Sequence, residues 1–305
     1  MEDSVVRCEN LTVRYGSKIA CAGVTFEVPR GSVYALLGRN GAGKSSLVRC
    51  LLGHQKPQLG RALLFGEEAW SRRSGVMQKV GVVPEEPDAP REMTAAQLAA
   101  FCSPLYPVWD DKAFQARLGH FGIPRHQAFK NLSRGQKSML LFALALAPHP
   151  DLLVLDDPTL GLDVVARKST LEDLVGDLAD RAPTVLVTTH DLQGIEGIAD
   201  RVGILNEGKL LMDSPMEELK SRYRRVRYRP KNSAGEGAVR NELVPLAVSN
   251  IREINSDIEA VISNYEESAF GRFQCAANVE EAEVSTMSLE EILIAVTEAG
   301  SESMI

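Results

Sequence analysis

Apolar residues in this chain gather into short runs bounded by glycine, proline and charged residues. Val33-Tyr34-Ala35-Leu36-Leu37 is one such run and predicts a buried strand. The small and polar stretch Gly38-Arg39-Asn40-Gly41-Ala42-Gly43-Lys44-Ser45-Ser46 follows it. Leu47-Val48-Arg49-Cys50-Leu51-Leu52 then predicts the first turns of a helix, closed by Gly53. Upstream, Val5 to Cys8, Leu11 to Tyr15 and Val24 to Val28 alternate with turns and predict an antiparallel meander. Downstream, Pro57 to Gly66 reads as a turn and strand, and Val80 to Pro84 as a short buried strand. From about Thr94 to Ala147 the pattern is helical, broken at Pro104, Pro107, Gly119, Gly122 and Pro124. It predicts an inserted helical subdomain over about 86–147.

Leu152-Leu153-Val154-Leu155 predicts a further buried strand, tipped by Asp156 and Asp157. Thr159-Leu160-Gly161-Leu162-Asp163 predicts a turn into a helix reaching about Asp180. Pro183 to Thr189 predicts another buried strand, with His190 at its end. Val202 to Leu205 and Lys209 to Met212 flank the hairpin turn Asn206-Glu207-Gly208. Ser214-Pro215-Met216-Glu217 predicts a helix with a capping box and proline in its first turn.

The composition shifts at about residue 220. Residues 220–231 hold seven basic side chains, whereas 232–305 hold three against fourteen acids. Asn232 to Gly237 reads as a linker, followed by strands at 242–248, 259–263 and 271–276. A last helix is capped by Ser288 with Glu291 and has an apolar face of Leu289, Ile292, Leu293 and Val296. The domain reading is therefore 1–219, a basic segment and linker at 220–237, and an accessory domain at 238–305. Two readings of the basic run stay open: contact with anionic lipid headgroups, or pairing with the acidic tail.

The candidate chemistry starts at Gly38. Strand, glycine-rich loop and helix, with the spacing G-x-x-x-x-G-K-S, is the setting of a phosphate-binding loop. Backbone N–H groups freed by the glycines converge on phosphate oxygens, and the helix N-terminus adds its positive end. Lys44 would reach the β- and γ-phosphates, and Ser45 would offer its hydroxyl to magnesium. Asp156 and Asp157 stand at a strand tip, where ligands bind in open α/β sheets. Paired acids there call for a cation, and magnesium suits carboxylate oxygens. His190 is either structural or a γ-phosphate contact. Ser133 and Gly135 open an apolar helix, as a plain N-cap or as a second anion site. Tyr15 precedes a turn at Gly16, where its ring could stack on a flat ligand or remain a half-buried strand aromatic.

Net charge narrows the partners. The chain has 305 residues and a charge of −7, which argues against nucleic acid. No apolar run approaches the ~20 residues that span a bilayer, so a membrane role requires a partner. Cys8, Cys21, Cys50, Cys102 and Cys275 show no metal-ligand spacing and fit a reducing cytosol.

Taken in order, these motifs resemble an ATP-binding cassette (ABC) ATPase over roughly residues 4–217. Gly38 to Ser45 is similar to the Walker A loop and Leu152 to Asp156 to Walker B. Asn131-Leu132-Ser133-Arg134-Gly135-Gln136-Lys137 is similar to the signature motif, with Arg134 in place of its first glycine. Gly161 to Asp163 matches the D-loop, His190 the switch histidine and Tyr15 the adenine-stacking aromatic. The loop from Val80, Asp213-Ser214-Pro215 and Ser288 to Ile292 resemble ATPase subunits of ABC-2 type exporters.

The resemblance implies an α/β P-loop fold with an antiparallel β subdomain, a helical subdomain and a small C-terminal α+β appendage. It implies ATP and Mg2+, contacted by Tyr15, Gly38, Asn40, Gly41, Gly43, Lys44, Ser45 and Ser46. Ser45, Asp156 and Glu85 would serve the metal, and Lys44, Glu85, Asp157 and His190 the chemistry. A head-to-tail dimer, with itself or a related ATPase, would bring Ser133, Gly135 and Gln136 onto the other subunit's ATP. A separate membrane permease would hold the cytoplasmic ATPase at the inner face of the cell membrane. Beside Arg134, two further departures from the family matter: Glu85 where it has glutamine, and Asp157 where it has glutamate. The shorter Asp157 predicts slow turnover and a long-lived ATP-bound dimer. The rival readings are a non-transport ABC ATPase and a slow ATP-gated regulatory subunit.

Overall fold

The computed structural model describes residues 4–158, 182–190, 192, 194–231, 248–254, 257–276 and 279–302. The turn Gly161 to Asp163 with its following helix, the Asn232 to Gly237 linker and residues 242–247 lie outside the described residues. Two compact units divide the chain, Met1–Leu210 and Leu211–Ile305.

The first unit opens with a long hairpin, β1 (Ser4–Tyr15) and β2 (Lys18–Pro29). The two apolar runs read in its first arm form one strand. Its register shifts between Cys8 and Leu11, where Asn10 takes φ 52°. Asparagine tolerates this left-handed backbone, so the irregularity bends the strand without ending it. β3 (Val33–Leu37) leads through the glycine-rich loop into α1 (Lys44–Leu51). β4 (Leu59–Leu64) and β5 (Glu67–Glu68) complete an antiparallel sheet of order β2-β1-β4-β5. The short α2 (Arg73–Val76) precedes β6 (Val80–Val83).

The helical subdomain contains α3 (Ala95–Cys102), α4 (Asp111–His120) and α5 (Arg134–Leu146). Each begins at a side-chain cap: Thr94 with a reciprocal bond from Gln97, Asp110, and Ser133 with Gln136. Leu98, Phe114, Leu118, Phe129, Leu140 and Leu144 give these helices a core of their own.

β7 (Leu152–Asp156), β8 (Thr184–Thr189), β9 (Arg201–Asn206) and β10 (Lys209–Pro215) complete the second sheet, of order β10-β9-β3-β8-β7-β6. β3, β8 and β9 run parallel, as do β6, β7 and β8. β3, β7 and β8 are almost wholly buried, which explains why their sequences read as unbroken apolar runs rather than alternations. One face, with Tyr34, Leu36, Leu152, Val154 and Leu186, shares a core with Leu47, Val48 and Leu51 of α1 and with Val6, Leu11, Phe26 and Leu64 of the antiparallel sheet. The P-loop helix is thereby held between two sheets. Glu207 and Gly208 take φ 47° and 77° in the hairpin between β9 and β10, as a tight primed turn requires.

The second unit holds α6 (Met216–Arg222), β11 (Arg224–Pro230), β12 (Val248–Ile254), β13 (Asp257–Ile262), α7 (Glu267–Gln274), β14 (Val279–Thr286) and α8 (Leu289–Glu302). Its sheet is antiparallel, of order β12-β13-β11-β14. Two expectations are corrected here. The strand expected at 271–276 falls on helix α7, because Phe270 and Phe273, three residues apart, pack beside Tyr228 on one face. Ser214 forms no capping box: β10 runs on to Pro215, which becomes the N-cap of α6. Within the basic segment, Arg224–Pro230 forms the inner strand β11. Of the two readings for that segment, pairing with the acidic tail is what forms. Arg227 and Arg229 both bond Asp257, and Arg225 reaches Glu291 at 2.7 Å. The Ser288–Glu291 cap of the last helix forms as expected.

Candidate functional site

The loop from Gly38 to Gly43 sits at the C-terminal ends of the parallel strands. Two of its glycines are required by close packing. A Cβ on Gly38 would lie 2.4 Å from the carbonyl oxygen of Leu205, and one on Gly43 would lie 2.3 Å from that of Ala20. Gly43 also takes φ 113° as the cap residue of α1, open only to glycine at little cost. Cys21 Sγ lies 3.6 Å from the Gly43 carbonyl oxygen. Burial pushes that thiol up to about 12, so it stays protonated as a packing group under the loop.

Lys44 is 6% exposed, and its Nζ donates to the carbonyl oxygens of Gly38 at 2.7 Å and Arg39 at 3.4 Å. Burial lowers its pKa, while Asp157, Asp156 and Glu85 oppose that shift through their negative charge. The curled ammonium thus occupies the loop that a phosphate would enter.

Asp156 ends β7. The Thr188 hydroxyl of β8 donates to its Oδ1, and Ser45 lies beside it. Its pKa is nevertheless raised, first by burial and also by the neighbouring charge of Asp157. The hydrogen bonds and Lys44 oppose that shift. Asp157 is 5% exposed and takes φ 44°, an uncommon backbone for a non-glycine residue. Its N–H donates to the Thr188 carbonyl at 2.8 Å. The His190 N–H donates to Asp157 Oδ1 at 3.2 Å, and His190 Nδ1 lies 3.0 Å from the same oxygen. The loop and the start of α1 supply Lys44 and Ser45, and the tips of β7 and β8 bring Asp156, Asp157 and His190 beside them.

Two hollows flank this loop. One, of about 250 Å3, is lined by Tyr15, Lys18, Ala20, the run Asn40 to Ser46, Glu85 and Asp157. The other, of about 560 Å3, is lined by Arg39 to Ala42, His190, Asn206 and Glu207. Asn40, Gly41, Gly43, Lys44, Ser45, Ser46, Tyr15, Glu85 and Asp157 thus line one cleft. Ser133, Gly135 and Gln136 line neither hollow. Ser133 Oγ instead accepts the Gln136 N–H at 3.1 Å, and Gln136 Nε2 donates to the Gly122 carbonyl. Sequence reading missed Thr188 and Gln55, whose Oε1 accepts the Tyr15 hydroxyl at 2.6 Å. The available signal for Thr188 was a polar Thr188-Thr189 pair ending a buried strand beside His190.

Among the described residues no group of three or more His, Cys, Asp or Glu side chains could hold a metal by itself. The donors present, the Ser45 hydroxyl and the Asp156 carboxylate beside it, suit magnesium completed by phosphate oxygens and water rather than a protein-only site. The donor chemistry therefore fits Mg2+ arriving with a nucleotide. Among the described residues no helix is long and apolar enough to cross a membrane.

Residues 21–160 match the family model described as ABC transporter. The bacitracin transport ATP-binding protein BcrA of Bacillus licheniformis is 34% identical over 226 residues, 73% of this chain and 73% of that protein. Nod factor export ATP-binding protein I of Burkholderia orbicola is 37% identical over 209 residues, 67% of this chain and 68% of its own length. Among solved structures, the dimeric bacterial ABC transporter cassette MJ0796 has a TM-score of 0.62 at 20% identity. The match covers 69% of this chain and 98% of that one.

Proposed function

Because the chain belongs to the ABC transporter ATP-binding family and hydrolyses ATP in support of transport, we propose that it drives a separate membrane permease by closing on ATP as a head-to-tail dimer. The observation that carries this reading is the convergence of Lys44, Ser45, Asp156, Asp157 and His190 around one glycine-rich loop. ATP is the substrate. Its triphosphate enters the loop, and the Lys44 ammonium turns from the Gly38 and Arg39 carbonyls to the β- and γ-phosphates. Tyr15 stacks on the base, and the N–H groups at the start of α1 hold phosphate oxygens.

Ser45 and Asp156 would hold Mg2+, with Glu85 at its outer side. The ion, when bound, offsets phosphate charge. Asp157 orients the attacking water and His190 contacts the γ-phosphate. Asp157 is one methylene shorter than the family's glutamate, and its Oδ1 already faces His190. Both features favour slow turnover.

The dimer reading is supported by the signature residues standing away from the cleft of their own chain. In a second copy or a related ATPase, Ser133, Gly135 and Gln136 would bring the N-terminus of α5 to the other side of the triphosphate. MJ0796 is titled a dimeric cassette. Export is the direction suggested by the Nod factor relative. The permease would dock near Glu85 and the helical subdomain, where Phe101, Leu105 and Val108 are exposed, and would hold the subunit at the cytoplasmic face of the membrane.

Steady-state hydrolysis tests this assignment. Lys44→Ala removes the charge that contacts the transferred phosphoryl group, and hydrolysis is expected to fall to background. A fully active Lys44→Ala protein would overturn the role assigned to the loop.

A further inference from the structure

The segment that leaves α1 is tied to the strand that carries Tyr15. After the turn at Gly53, the N–H groups of His54 and Gln55 both donate to the Arg49 carbonyl, at 2.8 and 3.2 Å. The Gln58 N–H donates to the Thr12 carbonyl at 2.9 Å, and Gln58 Oε1 accepts the Arg14 N–H at 2.7 Å. Between these anchors, Gln55 Oε1 accepts the Tyr15 hydroxyl at 2.6 Å. The ring of Tyr15 lines the cleft beside Lys18 and the phosphate loop, 42% exposed.

An exposed tyrosine at a hairpin end has free χ1 and χ2 rotation, and ordering it on a ligand loses that freedom. A half-buried acceptor holding the phenol restricts the ring before any ligand arrives. The acceptor follows the helix whose first turn faces the phosphates, so one continuous segment joins both ends of the cleft.

We propose that Gln55 is a positioning residue for the nucleotide base: it fixes Tyr15 as a preformed stacking platform and raises affinity for ligands that carry a base, without touching them. This rests on the ATP-binding reading of the cleft. Inorganic tripolyphosphate, which has the phosphates and no base, separates the two.

Gln55→Ala is expected to raise the KM for ATP about three- to tenfold, the range of one hydrogen bond, with kcat unchanged. Its affinity for Mg-tripolyphosphate, measured by calorimetry, is expected to match that of the unsubstituted protein. Tyr15→Phe keeps the ring and loses the donor, so it should reproduce the Gln55→Ala effect. The double variant should be no weaker than either single one. Gln55→Glu retains an acceptor and should restore most of the ATP affinity. An unchanged KM, an equal loss of ATP and tripolyphosphate affinity, or additive effects of the two substitutions would overturn the proposal. Failure of the unsubstituted protein to bind ATP would instead overturn the reading of the cleft.

Discussion

Two charged regions among the described residues handle charge in opposite ways. At the strand tips of the first unit, Asp156 and Asp157 are adjacent and withdrawn from water, and the Lys44 ammonium bonds backbone carbonyls. On the sheet of the second unit, Arg227 and Arg229 share Asp257 in exposed ion pairs, and Arg225 meets Glu259 and Glu291. The first arrangement leaves carboxylates in want of a cation, and the second is self-neutralised. Clustered charge marks a ligand site where the surrounding fold leaves it uncompensated, and is scaffold where opposite charges already meet.

The largest response is expected at Asp157. Asp157→Glu extends the carboxylate toward the water position, and misplacement by about 1 Å can change rates by roughly 10²-fold. Steady-state ATPase activity is expected to rise about ten- to a hundredfold. An unchanged rate would mean that the length of this side chain does not limit turnover.

The second region predicts a far smaller response. Arg227 is largely exposed, and Arg229 remains on Asp257 when Arg227 is lost. Arg227→Ala should lower stability by no more than about 1 kcal/mol in denaturant titrations and leave hydrolysis unchanged. A loss of hydrolysis would place the charged sheet face in the functional machinery. Glu291 adds a pH dependence of known sign. The Ser288 backbone bond, assisted by Arg225, holds its carboxyl below the ordinary value. Its contribution is therefore complete above the usual glutamate range and is lost as pH falls through the lowered value.

How much of this was legible depends on distance along the chain. The phosphate loop was readable because its glycines, lysine and serine are contiguous and their backbone geometry is local. Asp156, Asp157 and His190 were readable because buried parallel strands deliver their tips to one sheet end. The bonds from Thr188 to Asp156 and from Tyr15 to Gln55 span 32 and 40 residues, and no local pattern pairs those positions. Helix α7 differs in kind: residues 271–276 were read as a strand, whereas the spacing of Phe270 and Phe273 carried the helical period. The role of 220–231 emerged only once β13 and β14 were in place on either side of it.

On the proposed function, the acids at the strand tips are left uncompensated for a metal-bound nucleotide. Thermal unfolding of the unsubstituted protein and Asp156→Asn, each with and without Mg-ATP, tests it most directly. Burial disfavours the charged form of Asp156, so without ligand the variant should unfold at the same temperature or a few degrees higher. Mg-ATP should raise the midpoint of the unsubstituted protein and leave that of the variant nearly unmoved. A midpoint insensitive to Mg-ATP in the unsubstituted protein, or an equal rise in both, would contradict the account.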